Sequence, residues 1–82
     1  MICRYETKLE GQCPVNGMPD YYDVIVERPS YIEIEEMLSK ISQLTGTKAF
    51  QEQITITLAE TLKAKVTTVG YHYGVKTTCT AP

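Results

Sequence analysis

Residues 13–20 read Cys-Pro-Val-Asn-Gly-Met-Pro-Asp, a thiol and a carboxylate at the two ends of one short stretch, each beside a proline. A thiolate is a nucleophile and needs a base or a lowered pKa to form. Asp20 does not lower the pKa of Cys13 by its charge, because like charges disfavour each other. It can instead carry a proton to or from an electrophile that the sulfur attacks. Pro14 and Pro19 fix φ at both ends, and Asn16-Gly17 permits positive φ between them. Such a turn would hold the two groups in one geometry. The plainer account is a small buried cysteine before a turn and a Pro-Asp that opens the next element.

The sole histidine, His72, lies in Val-Gly-Tyr-His-Tyr-Gly-Val-Lys. It is either a proton shuttle near neutral pH or a strand residue between two tyrosines. Cys13, His72 and Cys79 carry zinc-ligand chemistry, but no pair has the C-x-x-C or H-x-x-x-H spacing of a metal site. Cys3 reads as a small strand residue. Tyr5, Tyr21, Tyr22, Tyr71 and Tyr73 read as strand packing, with one free to stack on a bound ring. Lys63, Lys65 and Lys76 form either a basic rim for RNA phosphates or a solvated face.

The elements that must position these groups follow from periodicity. Residues 2–9 alternate as a strand, 10–20 form a Gly-, Pro- and Asn-rich loop, and 21–28 form a second strand that Pro29 ends. Ile34, Met37, Leu38, Ile41 and Leu44 fall at helical spacing, and Gly46 marks the end of that helix. A second helix is predicted from about Lys48 to Lys63, with a stripe of Phe50, Ile54, Leu58 and Leu62 and with Ile56 and Ala59 beside it. Two β-rich runs follow, split at Gly74. The order predicts an α+β layer with both helices on one face of an antiparallel sheet. Two hairpins leave two sheet edges open to pairing with other copies.

With 82 residues, 43% of them hydrophobic and 22% charged, the chain has the size and composition of one globular domain, residues 1–82. A domain this small buries only about 60–65% of its unfolded surface, so a homo-oligomer is expected. Three cysteines cannot all pair within one chain. Charges begin at Arg4, and no apolar run could span a membrane or form a signal-peptide core. A reducing cytoplasm and free thiols are expected. The net charge of -2 argues against a dedicated nucleic-acid binder, though not against a local basic patch.

The stretch at 13–20 resembles the Cys-Pro-x-Thr-Gly-x-Pro-Asp motif of the QueF family, the nitrile reductases of queuosine biosynthesis. Cys13, Pro14, Gly17, Pro19 and Asp20 match, with Asn16 in the threonine place and Met18 in the usual glutamine place. The resemblance implies that Cys13 attacks the nitrile of 7-cyano-7-deazaguanine (preQ0) to give a covalent thioimide, with Asp20 as general acid and base. It implies the tunnelling fold (T-fold), whose two strands, two helices and two strands match the order read above. That fold assembles into oligomeric barrels with sites between subunits. The family's His-Glu pair at the start of its second helix is filled here by Gln51 and Glu52. Glu52 would then anchor the N–H edge of the base, since an ionised carboxylate only accepts hydrogen bonds. Gln51 keeps hydrogen bonding but loses a titratable group.

The resemblance departs at the lysine-rich Glu-Ser-Lys-Ser-type motif that serves NADPH in the reductases. Ile32-Glu33-Ile34-Glu35-Glu36 stands there, so Glu33 keeps the motif's glutamate while acid replaces lysine. Acid would repel a dinucleotide phosphate. The chain is therefore more similar to the shorter QueF-like amidinotransferases of archaeosine synthesis, which release the thioimide with ammonia as a formamidine. No cofactor is expected, and the substrate would be the base either free or in a nucleic acid such as tRNA. Three rivals stand beside this reading. They are NADPH-dependent reduction of the same nitrile, a non-catalytic deazapurine- or pterin-binding module, and a zinc-dependent cyclohydrolase of the same fold.

Overall fold

A computed structural model describes residues Met1–Pro82. The elements run β1 (Cys3–Gln12), β2 (Pro19–Arg28), α1 (Ile34–Ser42), α2 (Gln51–Leu62), β3 (Lys65–His72) and β4 (Val75–Ala81). The sheet is antiparallel throughout in the order β1-β2-β3-β4, which leaves β1 and β4 as edges. The α+β order read from periodicity is the order observed.

The alternation in β2 decides which face is covered. Tyr22, Val24 and Val26 are buried, while Tyr21 and Asp23 point away from the helices. They join Leu9, Val66, Met37, Ile41, Ile54, Leu58 and Leu62 in one cluster of 13 buried apolar residues. Burial of each of the larger side chains is worth about 1.5–3 kcal/mol, offset by the ordering of the chain. Helix α2 packs on β3 and β4, and α1 lies against α2.

Four local readings change. Strand β1 continues through Gly11 and Gln12, and β2 opens at Pro19, so the loop shrinks to residues 13–18. The added pairs Gly11↔Asp20 and Gln12↔Pro19 extend the ladder to the edge of the motif. Helix α2 starts at Gln51 rather than Lys48. Phe50 is its extended N-cap and is 58% exposed, outside the expected apolar stripe, and Ile56 also points outward. In their place Gln51 and Thr55 face the core. On α1 only Met37 and Ile41 are buried, and Ile34 and Leu38 stay on the surface.

Beyond its last paired residues, the β2–β3 register continued one step sets Tyr22 opposite Gly70. Two further steps set Asp20 opposite His72. A Cβ on Gly70 would stand 2.6 Å from the Tyr22 ring. Only a glycine lets that ring lie across β3 at this point.

Candidate active site

The motif turn is held by its own backbone. The Cys13 N–H donates to Met18 O at 2.8 Å, and the Gly17 N–H donates to Cys13 O at 2.8 Å. Asn16 accepts the Met18 N–H at 2.9 Å through its side-chain oxygen, an Asx-type turn that serves in the place of the motif's threonine. Gly17 takes the positive φ of 72° that the turn needs. The segment joining α1 to α2 ties this end of the sheet down. Gln12 N–H donates to Thr47 O at 3.1 Å, and Gly46 N–H donates to Glu10 O at 2.9 Å.

Cys13 and Asp20 line one cavity of about 140 Å³ together with Pro14, Tyr22, Gln51 and His72. Val15, Phe50 and Tyr73 form its exposed apolar rim. The cavity borders the start of α2, which has no side-chain cap, so the N–H groups of its first turn form the positive end of the helix dipole beside it. The motif's two chemical groups thus stand in one place. A larger hollow of about 600 Å³ lies at the other end of the fold, between Ile2, Arg28, Lys63 and Pro82. It is an open groove between the chain ends and contains no cysteine.

Asp20 has two neighbours, one read from the sequence as packing and the other as either packing or a proton shuttle. Tyr22 Oη donates to Asp20 Oδ2 at 3.3 Å. His72 Nδ1 stands 3.9 Å from Asp20 Oδ1, at the limit of an ion pair. Burial pushes the Tyr22 hydroxyl above its ordinary range, and the negative charge of Asp20 pushes it further. Tyr22 therefore remains a donor to Asp20 at any physiological pH.

Gln51 is 3% exposed, and every polar atom of its side chain is bonded within the protein. Its Nε2 donates to Thr68 O and Thr77 O at 3.1 and 3.0 Å and reaches Thr68 Oγ1 at 3.1 Å. Its Oε1 bonds His72 Nε2 at 2.8 Å. Thr55 Oγ1 donates to Gln51 O at 2.8 Å and meets Thr68 Oγ1 at 2.6 Å. No buried side-chain polar atom of the protein lacks a partner. Gln51, expected from the resemblance to contact substrate, lines the cavity and holds His72, while three acceptors on β3 and β4 claim its amide nitrogen.

Glu52 follows on the exposed side of α2 and makes no ion pair. It does not line the cavity, but its charge reaches the neighbourhood. Burial and then Glu52 raise the pKa of Cys79 on β4. Glu33 is not brought to this site. It lines a separate hollow with Arg28, Tyr31, Glu36, Lys40 and Lys63. Arg28 closes β2 eight residues beyond Asp20, on the order of 26 Å along the strand. Within the acidic stretch only Glu36 has a cation partner. Glu36 pairs with Lys40 at 3.2 Å, one helical turn on. The trio Cys13, His72 and Cys79 is not gathered, and no three His, Cys, Asp or Glu side chains stand as a metal-holding group. All three cysteines are unpaired. No helix is long and apolar enough to cross a membrane.

No family model matches the chain. It is 29% identical over 85 residues to an archaeosine synthase of Pyrobaculum calidifontis, across 92% of this chain and 78% of that one. Among solved structures it is similar to the archaeosine synthase QueF-Like in the apo form, with a TM-score of 0.90 and 28% identity over 98% of this chain and 90% of that chain.

Proposed function

We propose that this chain, QueF-like in sequence and tunnelling in fold, is an enzyme that modifies a 7-deazaguanine. Its substrate would carry a nitrile, as 7-cyano-7-deazaguanine does, free or within a nucleic acid. The observation that carries the reading is the meeting of Cys13 and Asp20 in one cavity beside the start of α2. The two relatives, both archaeosine synthases, support the formamidine product over the amine.

The chemistry balances without a reductant. Cys13 Sγ bonds the nitrile carbon, one π bond of C≡N opens, and the thiol proton reaches the nitrile nitrogen through Asp20. The product of that step is a thioimide. Ammonia then bonds the same carbon, the C–S bond breaks, and a proton from ammonia returns to sulfur. What leaves is a formamidine, and Cys13 is again a thiol. Asp20 accepts and donates one proton in each half, the work of a positioned acid and base.

The cavity of about 140 Å³ is well below the roughly 300–1,000 Å³ usual for a ligand site. Its rim of Val15, Phe50 and Tyr73 is apolar and between 58% and 92% exposed. A second copy of the chain, paired through the free edges of β1 or β4, would complete the wall. In that assembly Glu52 would accept the N–H edge of the base, and Glu33 of a neighbouring copy could enter the site that it cannot reach within its own chain.

Intact mass spectrometry after mixing with 7-cyano-7-deazaguanine tests the proposal. One adduct per chain, absent from Cys13→Ala, is expected. Adding ammonium should release the formamidine, and NADPH should not be consumed. No adduct at a large excess of nitrile rejects the mechanism. An aminomethyl product with NADPH replaces it by the reductase reading.

A further inference from the structure

Two residues other than glycine take a left-handed backbone, Lys63 at φ 50° and Tyr73 at φ 53°. That conformation is disfavoured for any residue with a Cβ. Lys63 has a local reason, since it closes α2 with its N–H on Ala59 O. Tyr73 opens the turn that joins β3 to β4, between the paired residues His72 and Val75. Gly74 follows at φ 80°, and two positive φ values in a two-residue hairpin make a type I′ turn. Asn-Gly is the sequence such a turn favours. The tyrosine ring does not support the turn. It is 92% exposed, and neither of the two close ring pairs of the protein includes it. A strained residue whose side chain the fold does not use points to a function of that side chain.

We infer that Tyr73 is a substrate-contacting residue, whose ring stacks on a planar heterocyclic base held with its reacting carbon at Cys13. This rests on the reading of Cys13 as the nucleophile. Tyr73 lines the Cys13 cavity beside Val15 and Phe50. The hollow of about 140 Å³ encloses only part of an ordinary ligand, so the remainder of an occupant lies against that rim. An aromatic side chain meets a base through its π face, whichever hydrogen-bonding edge the base presents. Tyr73 therefore adds affinity for flat rings as a class and leaves the reading of the edge to polar groups. The turn cannot relax to ease the strain. The β3–β4 ladder runs up to His72 and Val75, and Gln51 Oε1 holds the His72 ring at 2.8 Å. The same stacking serves a free base and a base swung out of a nucleic acid.

The test measures binding apart from chemistry. In a Cys13→Ala background, calorimetry would follow 7-cyano-7-deazaguanine and nitrile-free 7-deazaguanine, each as the free base and within an RNA stem-loop. Tyr73→Asn installs the favoured Asn-Gly turn and deletes the ring. It should melt a few degrees higher than its parent, keep the parent's mass in light scattering, and bind the base roughly tenfold to a hundredfold more weakly. Tyr73→Phe keeps the flat ring and should recover most of the lost affinity. The arm that binds, free base or stem-loop, identifies the source of the base. Parental affinity in Tyr73→Asn overturns the inference. So does a lowered melting temperature in that variant, which would make the ring structural, or a changed mass, which would make it a contact between copies. Failure of Tyr73→Phe to recover affinity overturns the stacking as well. If both bases bind with this dependence on Tyr73 while the chain with Cys13 intact forms no adduct, the nitrile reading fails and the stacking stands. If neither base binds in either form, both fall.

Discussion

Strand β2 and helix α2 run between two ends that use polar groups in opposite ways. At the far end Arg28 donates Nε to Ser30 O at 3.0 Å, Nη1 to Leu62 O at 2.8 Å and Nη2 to Tyr31 O at 2.9 Å. Its charge sits on the C-terminal carbonyls of α2, where a cation is favoured. Lys63 closes that helix in a left-handed conformation at φ 50°, with its N–H on Ala59 O. All three of those bonds fix the path of the chain. At the near end the start of α2 has no side-chain cap. There a buried network ends on His72 and, across a 3.9 Å gap, on Asp20. One end spends its polar groups on closure, and the other aims them into a cavity. Changes at the two ends should therefore separate stability from chemistry.

The largest effect expected at the near end is on rate. Asp20→Asn keeps the size of the side chain and removes its ability to take a proton. Turnover of the nitrile with ammonia should slow by roughly 10²–10⁴-fold, the usual worth of a positioned acid and base. Thermal unfolding should move little. Wild-type turnover in this variant would show that the two ends do not differ in the way described.

The near end was only half legible in the sequence. Cys13 and Asp20 stood out because a turn of two prolines and Asn-Gly is a local signal, and the turn folds locally. Tyr22 reads as strand packing because alternation does not show where its hydroxyl reaches, even with Asp20 only two residues away, and His72 stays open between a proton shuttle and packing because its partners are distant in the chain. His72 meets Gln51 across 21 residues. The strand carrying it also misleads. On β3 the inward positions are Val66, Thr68, Gly70 and His72, while Val69 and Tyr71 face outward. The outward set, Lys65, Thr67, Val69 and Tyr71, holds one aliphatic residue just as the inward set does, so alternation alone does not mark the side that meets the core. What could have found His72 is the register, since the glycine at 70 makes sense only if a large ring crosses the strand there. The stripe on α2 held at Ile54, Leu58 and Leu62 but missed its polar members for a related reason. Gln51, Thr55 and Thr68 form a satisfied polar cluster inside, and periodicity counts only apolar residues. Glu33 was placed by its motif, and a motif match says nothing about which end of a strand a segment reaches.

The next effect lies at the far end and concerns stability. Arg28→Met preserves much of the aliphatic stem but removes three donors. Leaving the Leu62 carbonyl and its neighbours without partners should cost about 1–3 kcal/mol. For a domain of this size that lowers Tm by roughly 4–8 °C for each kcal/mol. Scanning calorimetry at matched protein concentration measures it. Adduct formation on Cys13, assayed well below the transition, should be unchanged. A variant that melts normally but loses adduct formation would place chemistry at the wrong end.

The smallest effect sharpens the boundary between the two behaviours, because Tyr22 belongs to both the core and the site. Its ring is buried across Gly70, and its hydroxyl donates to Asp20. Tyr22→Phe keeps the ring and deletes the donor. With a bond as long as 3.3 Å, the loss should be about 0.5–1.5 kcal/mol near neutral pH. The sign in alkali is distinct. Burial, the carboxylate and their hydrogen bond hold the folded-state pKa of Tyr22 above its unfolded value of 10.0. The folded state therefore binds this proton more tightly than the unfolded one does. The resulting stability is complete below about pH 10 and is lost as pH rises from there toward the folded-state value. Tyr22→Phe removes that term, so the gap between wild type and variant should narrow above pH 10. Denaturant unfolding at pH 7, 9 and 10.5 would show it. A gap that stays constant across the series would mean that Tyr22 contributes only its ring, and that Asp20 holds its place without it.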